Sequence, residues 1–333
     1  MNIYDVSERA GVSIATVSRV INGNPNVSVK TKQKVLAVME EIGYTPNVFA
    51  RGLGLNSMKT IGIMCADSSD PFLANAVYFL ERELRRNGYD SFLCCTGYEL
   101  KNKQSYLSLL LSKRVDAIIL VGSGFLEFNQ SDNSYIMKAS GEVPIMLMNG
   151  YLNKPNIYCT MCDDYQAIFD AATLLLKKGL QDILYLYTAK SYSGIQKLNG
   201  YRAAVTEVFQ TVKEELIQCC PGTITGARDL LFRLSENGLK FDAVIAAEDI
   251  LGVGAIKYAK AKGIAIPENL SIIGYNNSLL ANCCEPELTS VDNHVETLSI
   301  TTVGTLMRVL DGQKAPNKTT ISGDLIIRNT TDF

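Results

Sequence analysis

Apolar positions in the first 45 residues recur at helical spacing. Ile3, Val6 and Ala10 share one face before Gly11 interrupts the run. Ser13 then stands where it caps a second segment, in which Val17, Val20 and Ile21 point inward. Pro25 marks a loop, Ser28 caps a third segment, and Val35, Met39 and Ile42 repeat at i, i+4 and i+7 before Gly43 stops it. The spacing predicts an all-α head over residues 1–45, three short helices with one core, the first two in a helix-turn-helix arrangement. From Thr60 the pattern changes. TIGIMCA, SFLCC, DAIILVG, PIMLMN, ILYLY, DAVIAA and LSIIGY are near-continuous apolar runs, as parallel strands buried on both faces require. Helical stretches between them end close to Gly88, Gly179, Gly238 and Gly263, mostly behind basic residues that complement the helix dipole. The alternation predicts a doubly wound α/β architecture, and seven or more strand-helix units imply two lobes.

Between head and lobes lies PNVFARGLGLNS, residues 46–58 with the Met58 that follows. A helix of about eight residues falls below the roughly 12–15 needed for independent stability, and interior glycines cost about 1 kcal/mol each. The segment is expected to stay unfolded until something supplies the missing energy.

Charge refines this division. Residues 1–60 hold seven Lys or Arg against four acidic residues, a net +3, which leaves the remainder at −5 in a chain of net charge −2. A polyanion would therefore meet the head, weakly as one copy and better as two. The charged fraction of 20% is ordinary for a globular protein, and no apolar run spans a bilayer or forms an export signal, so a cytoplasmic location is expected. Nine cysteines without such a signal read as free thiols. Cys159 and Cys162 form a lone CxxC without a second ligand pair at knuckle spacing, so buried small hydrophobes are expected rather than a metal site, with redox sensing the remaining alternative. Enzyme chemistry is poorly supported. His294 is the single histidine and reads as a helix-start or interface residue, no GxSxG elbow or phosphate loop occurs, and Gly252 and Gly254 suit close helix packing. No catalytic residue, metal or cofactor is assigned.

The outer face of the second helix carries Ile14, Ala15, Ser18, Arg19 and Asn22. Arg19 can fork onto a guanine edge in a major groove, Ile14 and Ala15 can pack on base edges, and Ser13, Thr16, Ser18 and Asn22 suit phosphate or mixed contacts. With this face, the run YDVSERAGVSIATVSRVINGNPNVS and the later NVFARGL resemble the DNA-binding head of the lactose-repressor family of bacterial transcription regulators, most closely its catabolite-control branch. The resemblance implies a homodimer on a palindromic operator. It also implies that residues 46–58 form a hinge helix there, with Arg51 among its DNA contacts and Leu53 wedged into the minor groove. Gly54 departs from many relatives, which bears on the stability of that hinge.

The same resemblance extends to residues 59–333 and implies a periplasmic-binding-protein-like sensor. Its N-lobe would take about 60–158 and 292–319, and its C-lobe about 162–290 and 320–333. Asp70, Phe72, Leu73, Asn149, Lys197, Glu248, Asp249, Asn276 and Asn293 fall at the family's effector positions, with Asn277 beside them. Amides and carboxylates with one lysine suit a neutral polyol, and lysine in place of a frequent arginine lacks the bidentate fork for anions. The implied protein is a repressor-type regulator controlled by a sugar-like small molecule. Two rival readings are a phosphorylated carrier protein as co-regulator, and a sugar-binding module or α/β enzyme with an incidental helical head.

Overall fold

A computed structural model of the chain describes residues 2–44 and 57–333. Residues 46–56 of the expected hinge, including Arg51 and Leu53, lie outside the described residues. In the head, α1 (Ile3–Ala10) opens on a reciprocal cap: the Asn2 side chain accepts the Tyr4 and Asp5 N–H groups, and the Asp5 carboxylate accepts the N–H of Asn2. Gly11 follows at φ +59°, the left-handed turn that lets the chain reverse into α2. Ser13 caps α2 (Ile14–Ile21) by accepting the Thr16 N–H at 3.2 Å, and Ser28 caps α3 (Val29–Glu41) through Thr31 at 3.2 Å. Val6, Ala10, Val17, Val20, Val35, Met39 and Ile42 close the core that the spacing predicts. Ser13→Ala removes one cap and is expected to destabilise the head by about 1 kcal/mol, read as a lower midpoint of the head transition in calorimetry of the whole chain.

Two six-stranded sheets build the rest. The first runs β11 (Lys318–Ile321), β5 (Ile157–Cys162), β4 (Ile145–Met148), β3 (Ala117–Val121), β1 (Thr60–Cys65) and β2 (Asp90–Cys95), with every pairing parallel. The second runs β12 (Asp324–Ile326), β10 (Thr289–Asp292), β9 (Ser271–Tyr275), β8 (Ala243–Ala246), β6 (Ile183–Tyr187) and β7 (Ile217–Cys219), with only β10–β12 antiparallel. Helices cover both faces, and each lobe has one apolar cluster on either side of its sheet. The helices used below are α4 (Pro71–Arg86), α5 (Leu100–Ser112), α6 (Ser134–Ser140), α7 (Asp164–Lys177), α8 (Tyr192–Phe209), α9 (Ile224–Glu236), α10 (Asp249–Lys262), α11 (Leu279–Cys283) and α12 (Val295–Leu310). Among the described residues, no helix is long and apolar enough to cross a membrane.

The chain passes between sheets three times, after Cys162, after Asp292 and after Ile321. These points lie beyond the 158, 290 and 319 suggested by resemblance, because β5, β10 and β11 each continue to the end of their ladders before the chain leaves. SFLCC also departs from expectation. It is an edge strand rather than a doubly buried one, and Phe92 and Leu93 are 41% and 47% exposed. Gly200 lies inside α8, backed against the Tyr165 carbonyl of α7. Gly252 and Gly254 are packing glycines of α10, as their place in the sequence suggests, against Leu288 and the start of α9.

Candidate functional site

In the head, the face of α2 away from the core presents Ser13, Ile14, Ala15 and Arg19 to solvent, with Thr16, Ser18 and Asn22 half-buried beside them. Ser13 Oγ lies 2.9 Å from Thr16 Oγ1 as well as capping the helix, so these two hydroxyls are partly engaged within the protein. Asn22 donates to Ser18 Oγ at 3.4 Å, while its buried Oδ1 has no partner. Arg19 makes no side-chain hydrogen bond or ion pair with the described residues, so its five donors face outward. The result is a short convex strip with apolar contacts at the N-terminal end and one free guanidinium.

In the lobes, both strand orders place the first strand between the second and third, which opens a crevice where loops leave neighbouring strands in opposite directions. The loops after β1 and β3 bring Asp67, Asp70 and Ser123 from one side. The loops after β6 and β8 bring Thr188, Ser191 and Glu248 from the other. Two cavities of about 240 and 200 Å³ share Asp70, Phe72, Tyr98, Thr188, Glu248 and Asn276, and together form one inter-lobe cleft. Ser123 donates across it to Ser191 Oγ at 2.9 Å.

Asp70 caps α4 through the Leu73 N–H at 2.8 Å, which fixes its carboxylate at the cleft wall. Burial pushes its pKa up, the Leu73 N–H pulls it back, and the negative charge of Glu248 pushes it up again. Glu248 accepts the Thr188 hydroxyl at 2.7 Å. The buried Lys197 Nζ donates to the Ala247 carbonyl at 3.0 Å, next to Glu248, and sits 3.5 Å from the centroid of the Tyr275 ring. The Tyr275 hydroxyl donates to Asp164, whose pKa burial raises and Lys197 lowers. The cleft lysine is thereby tied to the first residue of α7, next to a crossover.

The sequence candidates divide. Asp70, Phe72, Leu73, Asn149, Lys197, Glu248 and Asn276 line the cleft. Asp249 reaches its wall, but its carboxylate is taken by the Ser278 N–H at 2.6 Å and Ser290 Oγ at 2.5 Å, so it braces the loop after β9. Asn293 lies behind the lining and donates to Asn276 Oδ1 at 2.8 Å, holding that residue at φ +100°. Asn277 is turned toward Arg328 and Asp292. Sequence reasoning missed Asp67, Tyr98, Thr188, Ser191 and Ser193; the first three stand just after a strand end, which was the available signal, and the two serines stand at the N-terminus of α8. Among the cysteines, Cys65, Cys94, Cys159, Cys162 and Cys220 are buried as small apolar groups, whereas Cys95, Cys219 and Cys283 are exposed. Burial pushes Cys162 up to about 12.

Residues 2–47 match the family model for bacterial regulatory proteins of the lacI family, and residues 58–329 match that for periplasmic binding proteins and the sugar-binding domain of the LacI family. The chain belongs to the LacI family. A transcriptional regulator of Lachnoclostridium phytofermentans is 68% identical over the whole of both chains. AscG of Escherichia coli is 33% identical over 98% of this chain and 97% of its own. Catabolite control protein A of Priestia megaterium is 32% identical over 87% of each. The structure of the lac repressor dimer bound to operator and an anti-inducer superposes with a TM-score of 0.89 at 23% identity, covering 99% of this chain and 98% of that one. This LacI-family chain is a DNA-binding transcriptional regulator, not an enzyme.

Proposed function

We propose that the regulator binds a palindromic operator as a homodimer in the cytoplasm and answers to a neutral, hydroxyl-rich effector of the sugar class in the inter-lobe cleft. The observation that carries the effector class is the charge of the cleft: Asp67, Asp70 and Glu248 line it, with Lys197 the one cation of the lining. Carboxylates held there need donors, which sugar hydroxyls supply, and they repel phosphate or carboxylate ligands. Phe72 and Tyr98 add flat apolar faces for a ring. The family's description as sugar-binding points the same way. The uncovered β2 edge, with Phe92 and Leu93, and exposed Tyr78 on α4 supply apolar surface for a second copy. Arg51 and Leu53 are assigned to the operator by the family resemblance of their motif.

Thermal-shift titration of the whole chain with neutral sugars, sugar phosphates and amino acids tests the reading, and a saturable rise with a neutral sugar is the expected result. Glu248→Gln keeps the shape but removes a charged acceptor, and should weaken that sugar about 10- to 100-fold in calorimetry. A rise with sugar phosphates alone, weakened by Glu248→Gln, would replace the neutral class.

Asp70→Asn supplies a second check. Asparagine still caps α4, and it removes the like charge facing Glu248, so Tm at pH 7 should rise by about 2 °C. Because burial raises the Asp70 pKa, its folded-state protonation favours stability below the ordinary aspartate range, and this contribution is lost as pH rises through the raised value. The advantage of asparagine must therefore shrink in acid, which a pH series of melts would read.

A further inference from the structure

A second and larger cavity, about 520 Å³, lies outside the cleft and is also walled by both lobes. The segment between β3 and α6 and the loop after β4 form one side, and Lys190, Tyr192 and Ile195 at the start of α8 form the other. It shares no lining residue with the central cleft. The chain passes from one to the other on either side of the Ser123–Ser191 hydrogen bond.

Its chemistry is opposite to that of the cleft. Phe128, Tyr151 and Tyr192 supply three aromatic rings, and Phe128 is 80% exposed. That exposure is built in. Buried Asn133 accepts the Glu127 N–H at 2.8 Å and returns a hydrogen bond to the Glu127 carbonyl at 3.0 Å, which pins the backbone immediately before Phe128. The one carboxylate of the lining, Glu127, is paired at 2.6 Å with Lys103, which is 3% exposed. Lys154 and Lys190 remain, neither in an ion pair among the described residues, and Lys318 stands 5.0 Å from the centroid of the Tyr151 ring. The cavity thus offers apolar faces and uncompensated positive charge, where the cleft offers polar acceptors and negative charge.

We infer that this cavity is a second ligand site, for a ring compound bearing a phosphate or carboxylate, distinct from the neutral effector of the cleft. The ring packs on Phe128, Tyr151 and Tyr192, and the anion faces Lys154 and Lys190. A ligand gripped by both lobes favours the lobe spacing that fits it, so it couples to the cleft, and the coupling is the same in either direction. The regulator would then read two metabolites, one neutral and one anionic.

Phenyl phosphate and ribose 5-phosphate are the probes, titrated by calorimetry into the full chain and into Lys190→Glu, Phe128→Ala and Glu248→Gln. The expected result is one saturable site per chain, weakened about tenfold or more by Lys190→Glu and by Phe128→Ala and unchanged by Glu248→Gln. Uncharged phenol should bind at least about tenfold less tightly than phenyl phosphate. Preference for phenyl phosphate names an aromatic acid as the class, and preference for ribose 5-phosphate names a sugar phosphate. Both altered residues are on the surface, so melting curves should match the parent; if Lys190→Glu unfolds, Lys190→Gln carries the same expectation. Absence of saturable binding by either probe would overturn the proposal, as would binding that responds to Glu248→Gln and not to Lys190 or Phe128. The neutral-sugar titration is a separate readout, so either site can fail without the other.

Discussion

Arg19→Ala is expected to lower operator affinity by roughly 30-fold to 10⁴-fold while leaving the head folded. A bidentate arginine-guanine contact is worth about 1–3 kcal/mol, and a two-fold dimer loses it in both half-sites, about 2–6 kcal/mol in all. The head itself should tolerate the change, because Arg19 is exposed and lies outside the apolar core that closes the three helices. Fluorescence anisotropy on operator and on scrambled duplex separates the two roles the residue could have. A base contact weakens the operator far more than the scrambled DNA. An equal loss on both would make Arg19 a phosphate contact and move the reading of sequence elsewhere on α2. Arg19→Lys keeps the charge but not the planar fork, so it should recover non-specific binding more fully than specific binding.

Gly200→Ala should destabilise the sensor by about 3 kcal/mol, a fall in Tm of roughly 10 °C. A Cβ at this position would meet the Tyr165 carbonyl oxygen at 2.2 Å and the Phe169 nitrogen at 3.1 Å. Both are backbone atoms of α7, so no side-chain rotation relieves the clash and the two helices must separate. Ser193 and Lys197 sit on the same face-packed helix as Gly200, so effector affinity should fall together with Tm. Gly304 in α12 is the matched control. Its Cβ would meet nothing within 4 Å, and alanine there should be neutral or stabilise by up to about 1 kcal/mol. Equal responses at the two glycines would refute the packing argument.

Much of this was legible in the sequence, for physical reasons that differ by region. The head is local: each helix carries its own cap and stop, and Val6, Val17 and Val35 meet through short separations, so periodicity alone predicts the three helices. Seven strands announced themselves as apolar runs, the edge strand β2 among them. Strands β5, β7, β10, β11 and β12 did not, since IYCTMC, TSVD and KTTI are short and mixed and are strands only because a ladder of distant sequence receives them. The same limit governs the cleft. Asp249 and Asn293 look like ligand residues in sequence, and only the fold shows that Ser278, Ser290 and Asn276 have already claimed them. Tyr98 and Thr188 enter the site from loops whose convergence depends on how two sheets meet, which no local pattern encodes.

The triple crossing of the chain also governs the order in which the protein can be finished during synthesis. The head is complete once its first 44 residues have emerged, and its contacts need nothing further. The N-lobe cannot close so early, because β5 has no outer neighbour until Lys318–Ile321 arrive, after nearly all of the C-lobe has been made. In the C-lobe β10 likewise waits for Asp324–Ile326. Until residues 318–326 are added, β5 and β10, interior in the finished fold, therefore expose a flank able to pair with another nascent chain. A stop codon shortly after α12 would remove the outer strand of both lobes at once, leaving a folded DNA-binding head attached to two sheets that end on the normally interior strands β5 and β10.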